Sequence, residues 1–122
     1  MRVNGSREIT VKKVELISKI QQHRENHKIE YAKAVEAYKI EAKKQLLKEL
    51  KALKNGSLQI RVNLVAPSNK TDEYDKIISM FEWEINDSVT LSQGEFNEYV
   101  LDETSFAREA KLLNSHYLNL GL

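Results

Sequence analysis

The chain has 122 residues, 41% hydrophobic and 30% charged, with a net charge of +1 and no cysteine. That length suits one domain, residues 1–122, with a modest core, and the lack of cysteine excludes disulfides, thiol catalysis and thiolate metal sites. No apolar run approaches the roughly 18 residues of a membrane span, and the opening MRVNGSREITVKK lacks the apolar centre of a secretory signal, so the expectation is a cytoplasmic protein without membrane contact.

Charge is unevenly placed. Residues 1–54 hold 14 Lys and Arg against 7 Asp and Glu, while residues 55–122 hold 5 against 11. Opposite halves of this kind attract each other within a chain or between chains, or mark a surface for a charged partner.

In chain order, Ile9 and Val11 flank Thr10 in a short apolar–polar alternation, which reads as a brief strand with Thr10 placed to cap the helix after it. Residues 11–54 contain no Gly and no Pro and are rich in Lys, Glu, Ala, Leu and Gln, the strong helix formers. They read as one helix of roughly 60 Å at 1.5 Å per residue, longer than a compact body of this size needs. Ile20, Tyr31, Ala42 and Leu53 are spaced by eleven, a period close to that of a straight helix rather than of a leucine zipper. Gln21–Lys28 is polar on nearly every face and reads as solvated, or as meeting a polar surface. Lys54, Asn55 and Gly56 supply a helix stop.

Leu58, Ile60, Val62 and Leu64 alternate with polar residues as a half-buried strand. Ala66–Lys70 is a loop holding the one proline. Thr71 with Asp72 and Glu73 starts a second helix whose buried face is Tyr74, Ile77, Ile78 and Phe81. Asn86 and Asp87 form a turn, and Ile85 with 88–91 is expected to pair with the strand at 58–64. Ser92 and Glu95 match a capping box, opening a third helix with Phe96, Tyr99 and Val100. A fourth, over 103–118, carries Phe106, Ala110, Leu113 and Tyr117. The predicted fold class is α+β: one long N-terminal helix, a small antiparallel sheet and three short helices, with a helical spine at about 11–54 and a compact body at about 57–119. The spine's last turns, through Leu46, Leu50 and Leu53, are expected to cover Ile60, Val62, Ile78 and Phe81.

Candidate chemistry is sparse. His23 and His27 are four apart on one helix face and Glu30 lies three further on, a spacing that metal sites use, but the HExxH arrangement is absent and the pair reads as solvated or as part of a helix contact. The carboxylates at Asp72, Glu73 and Asp75, and at Glu82, Glu84 and Asp87, read as helix N-terminal charge and a solvated edge. No phosphate-binding glycine loop or nucleophile elbow occurs. The expectation is therefore no catalytic residue, no cofactor and no metal.

Pro67, Thr71, Tyr74, Asp75, Ile78, Met80, Leu91, Ser92, Glu95, Phe96, Tyr99, Val100 and Asp102 form a pattern P-x-x-x-T-x-x-Y-D-x-x-I-x-M followed by L-S-x-x-E-F-x-x-Y-V-x-D. Preceded by a long charged helix, this resembles a family of small tailed-phage proteins of unknown function over roughly residues 12–118. The family usually has tryptophan beyond the last aspartate, where this chain has Phe106. The resemblance implies a phage source and action in the cytoplasm of the infected bacterium, and it brings no activity.

Together these readings predict a non-enzymatic interaction protein. It would be homo-oligomeric through its long helix, with Ile20, His27, Tyr31, Val35, Tyr38 and Leu46 as interface residues. Its partners would be a second copy of itself and a host or phage macromolecule, with inhibition of a host defence as the specific form. The alternative is a nucleic-acid or nucleotide-binding module in which Lys33, Lys44, Lys48 and Lys51 neutralise phosphates.

Overall fold

A computed structural model describes residues 7–56 and 64–119 of the chain. They form an α+β fold in the order β1 (Glu8–Lys12), α1 (Lys13–Lys54), α2 (Thr71–Glu82), β2 (Ser88–Ser92), α3 (Gln93–Tyr99) and α4 (Ser105–Leu118). The strand expected at 58–64 lies outside the described residues except for Leu64, so its contacts with Leu46, Leu50 and Leu53 are outside them too.

β2 does not wait for that strand. It pairs antiparallel with β1, in the register Glu8↔Ser92 to Lys12↔Ser88. Side chains alternate across a strand, so Ile9, Val11, Val89 and Leu91 share the inner face, while Thr10 and Thr90 meet outside with their hydroxyls 3.3 Å apart. Thr10 is thus a strand residue rather than a helix cap. The helix begins at Lys13, after an N-cap Lys12 that makes no side-chain bond. Its first free amide is met by backbone instead: Lys13 N–H donates to the Asp87 carbonyl at 2.7 Å. The strand pair and the helix start are therefore tied together at one point.

α1 runs for 42 residues. It ends where Gly56 takes a φ of 106°, open to glycine without strain, and donates to the Leu53 carbonyl at 3.2 Å. α2 lies antiparallel along it: Lys70 reaches His27, Asp75 reaches Arg24 and the Glu84 carbonyl reaches Lys13. α4 runs the other way, from Ala107 in the cluster around Leu16 and Ile20 to Tyr117 beside Ala34 and Ala37. The main core joins Leu16, Ile20, Tyr74, Ile78, Phe81, Leu91 and Ala107. The predicted inner face of α2 is the observed one. α3 opens with the full capping box: Glu95 N–H donates to Ser92 Oγ at 3.1 Å and Ser92 N–H donates to Glu95 Oε1 at 2.9 Å.

The larger correction concerns which part of α1 carries the body. The buried residues of α1 are Leu16, Ile20, His27, Ala34 and Ala37. Ile20, His27 and Ala34 are seven apart, and Leu16 and the half-buried His23 repeat that step. The packing seam therefore has a period of 3.5, the repeat by which a helix keeps one stripe facing its neighbours. It does not follow the eleven-residue series through Tyr31, Ala42 and Leu53. The body sits on the first two thirds of the helix, including the polar stretch 21–28, which meets polar groups of the body through His23, Arg24 and His27 and is otherwise exposed, and Leu46, Leu50 and Leu53 remain 44%, 40% and 40% exposed. Trp83, just past the end of α2, is 85% exposed.

Candidate functional site

The polar middle of α1 meets matched partners from the body. His23 Nε2 donates to the Val100 carbonyl at 2.8 Å, which fixes the proton on that nitrogen because a carbonyl only accepts. Arg24 Nε donates to Asp75 Oδ1 at 2.6 Å. His27 is 5% exposed, and its Nε2 accepts the Lys70 backbone N–H at 2.8 Å. An accepting Nε2 requires the neutral ring, and burial holds the His27 pKa below its ordinary value of 6.5. Tyr31 stacks on the His27 ring with centroids 6.3 Å apart.

Beside His27, α3 ends in a turn that depends on Asp102. Its φ is 57°, a left-handed conformation that aspartate tolerates better than most residues. The turn brings the Glu103 N–H to the carbonyls of Asn97 and Glu98, each at 3.1 Å. Asp102 Oδ1 accepts from the Tyr74 hydroxyl at 2.8 Å, and Lys111 Nζ lies 3.3 Å from Oδ2. Burial, and then the hydrogen bond to Asp102, push the Tyr74 pKa up. His23, Asn26, Glu30, Tyr74, Asp102 and Lys111 thereby line a pocket of about 270 Å³.

That pocket is polar, but its principal groups are already committed. The His27 acceptor holds α2, and Asp102 holds Tyr74 and Lys111. Among the described residues no buried side-chain nitrogen or oxygen lacks a partner, and no group of three or more His, Asp or Glu is placed to hold a metal ion. The arrangement acts as a set of clamps between helices.

A second clamp fastens the loop before α2. Asn114, 1% exposed on α4, accepts from Ser68 N–H at 2.7 Å and donates to the Ser68 carbonyl at 3.1 Å. The Tyr117 hydroxyl donates to the Val65 carbonyl and its ring meets Tyr38 edge-on, centroids 5.6 Å apart.

Of the six expected interface residues, Ile20 and His27 are buried within the chain, against the body, and so are closed to a second chain. Tyr38 packs on Tyr117, Tyr31 covers His27 and Val35 is half-buried. Leu46 alone of the six is exposed, and it belongs to a different surface. The described core clusters stop at Tyr38 and Tyr117. Past them, Leu46, Leu47, Leu50 and Leu53 are all exposed within eight residues of α1. Leu47, Leu50 and Leu53 line an open groove of about 730 Å³ together with Lys48, Lys51 and Lys54. Lys33, Lys44, Lys48 and Lys51 are all exposed, and Lys44 and Lys48 share a shallow recess with Glu41 and Glu49. Four exposed leucines so close together are unlike the scattered apolar residues of an ordinary surface.

No family model, curated protein or solved structure matches the chain. Among the described residues no helix is long and apolar enough to cross a membrane.

Proposed function

We propose that this chain is a non-enzymatic interaction protein that self-associates through the C-terminal third of α1. Its macromolecular target is a host or phage component, and its setting is the cytoplasm of a phage-infected bacterium. The phage setting, and a host defence component as the target, rest on the family resemblance in the body motif. The observation that carries the interaction reading is the exposed leucine run of Leu46, Leu47, Leu50 and Leu53 beyond the end of the core. Burying a fully exposed leucine contributes about 1.5–3 kcal/mol, and these four are 40–56% exposed, so association supplies roughly half of that for each.

Light scattering of the pure protein at tens of micromolar tests self-association: the expected mass exceeds that of one 14.1 kDa chain. Pull-down from host lysate with wild type and with a Leu46→Gln/Leu50→Gln/Leu53→Gln variant then tests the target. A partner captured equally by both would place recognition elsewhere.

The nucleic-acid reading keeps one supporting observation, the exposure of Lys44, Lys48 and Lys51 on the same helical segment as the leucines. Phosphate binding through them would weaken steeply as salt rises. A salt series on polynucleotide binding separates it from the leucine-driven reading, which predicts no such binding.

A further inference from the structure

A second exposed apolar surface lies at the opposite end of the molecule. Met80, Trp83 and Ile85, at the end of α2 and just beyond it, are 51%, 85% and 93% exposed. Met80 and Trp83 are three apart, and Trp83 keeps helical backbone, so they share a face. Carboxylates surround them: Glu82 and Asp87 are exposed and Glu84 half-exposed. The nearby cations are Lys12, Lys13 and, four residues before Met80 on α2, Lys76; Lys13 Nζ is held by the Glu84 carbonyl at 2.9 Å and Lys76 Nζ lies 3.3 Å from Glu73. The leucine run is the converse, with Lys43, Lys44, Lys48, Lys51 and Lys54 against the two acids Glu41 and Glu49.

Because α2 is antiparallel to α1, Trp83 sits by the start of the long helix. The leucines are then roughly 50 Å away along its axis, by helix rise. One chain cannot bring these two surfaces together. Two chains side by side and antiparallel bring both pairs together at once.

We propose that the occupant of the leucine run is a second copy of this chain, docked through its Met80–Trp83–Ile85 surface. The pair is then a closed, two-fold antiparallel dimer with lysines of each copy facing Glu82, Glu84 and Asp87 of the other. This deepens the self-association reading and rests on it. Two-fold symmetry makes each contact twice and leaves neither surface open, whereas a head-to-tail arrangement would leave one of each exposed at its ends and keep growing. Opposite charge around an apolar centre sets orientation and register, since parallel chains would place lysines against lysines.

The test combines mass with the one tryptophan in the chain. Light scattering should give twice the chain mass, and Trp83 emission should move to longer wavelength on dilution as the indole returns to water. A Glu82→Lys/Asp87→Lys variant should raise the dissociation constant about tenfold or more, as should Lys48→Glu/Lys51→Glu. Mixing the two variants should restore the dimer, with circular dichroism confirming that each retains its helix content. A dimeric mass with Trp83 emission independent of concentration and Glu82→Lys/Asp87→Lys without effect would overturn this pairing while leaving self-association standing. Species growing beyond the dimer with concentration would overturn the closed two-fold form. A monomeric mass at tens of micromolar would overturn both the pairing and the self-association on which it rests.

Discussion

At the scale of single residues, His27 connects the pH of the solution to the packing of the body. Its Nε2 accepts the Lys70 N–H only when the ring is neutral, and burial lowers its pKa from 6.5. The unfolded chain therefore takes up this proton at a higher pH than the folded one. The His27 contribution is complete above about pH 6.5 and is lost as pH falls from there toward the lowered folded value. Thermal melts from pH 7.5 to 5.5 should show wild-type stability declining, and a His27→Gln variant, whose amide oxygen can still accept, should decline less. Equal slopes would remove His27 as the cause. Tyr74→Phe deletes the donor to Asp102 while Lys111 remains beside the carboxylate, so a loss of about 0.5–1.5 kcal/mol is expected by chemical denaturation. Asp102→Ala should cost more than that, because it loses both partners and also places alanine at a positive φ.

At the scale of elements, α4 is the clasp that holds the return loop to α1. Asn114→Leu leaves the half-buried Ser68 N–H and carbonyl without their partner, and backbone groups left unmet away from water cost about 1–3 kcal/mol each. Denaturant melts should therefore show a loss of about 2 kcal/mol or more, far above the value for exposed His116. The placement of the body on α1 gives a sharper contrast. Ile20→Ala removes a fully buried side chain and should cost about 2–5 kcal/mol. Leu50→Ala should stay within about 0.5 kcal/mol in the dissociated chain, as exposed positions do. This reverses the division expected from the sequence, in which Leu50 was core and the region of His27 was not.

The reason for that reversal shows what the sequence carried. Local signals were legible: the capping box at Ser92 and Glu95, the inner face of α2, the Ile9–Val11 alternation and the extent of α1 each follow from neighbours a few residues apart. The seam was not. His23, Arg24 and His27 are polar by type, and they are buried or half-buried only because Val100, Asp75 and Lys70 arrive from 43 to 77 residues away. Ala34 and Ala37 gave no strong apolar signal, yet they are core where α4 arrives. The leucines near the end of α1 gave a strong apolar signal and are exposed. Apolar residues reserved for a second molecule look the same in a sequence as those reserved for the core. The same holds in reverse for Asn114 and the Asp102 turn, where ordinary polar residues do structural work that no local pattern announces.

At the scale of the whole molecule, α1 is longer than the body packed on it, and the surplus length carries leucines and lysines. The charge asymmetry along the chain, basic to residue 54 and acidic beyond, is only partly used within the fold, by contacts such as Arg24 with Asp75. Most of the lysines near the end of α1 face water. In the proposed function this segment is a contact surface rather than a stabilising part of the body. The most direct measurement is light scattering, paired with a thermal melt, on wild type and on Leu46→Gln/Leu50→Gln/Leu53→Gln. The variant should be a folded monomer whose melting no longer depends on protein concentration, while wild type should be larger and melt higher as concentration rises. A variant that unfolds, or one that keeps the wild-type mass, would contradict it.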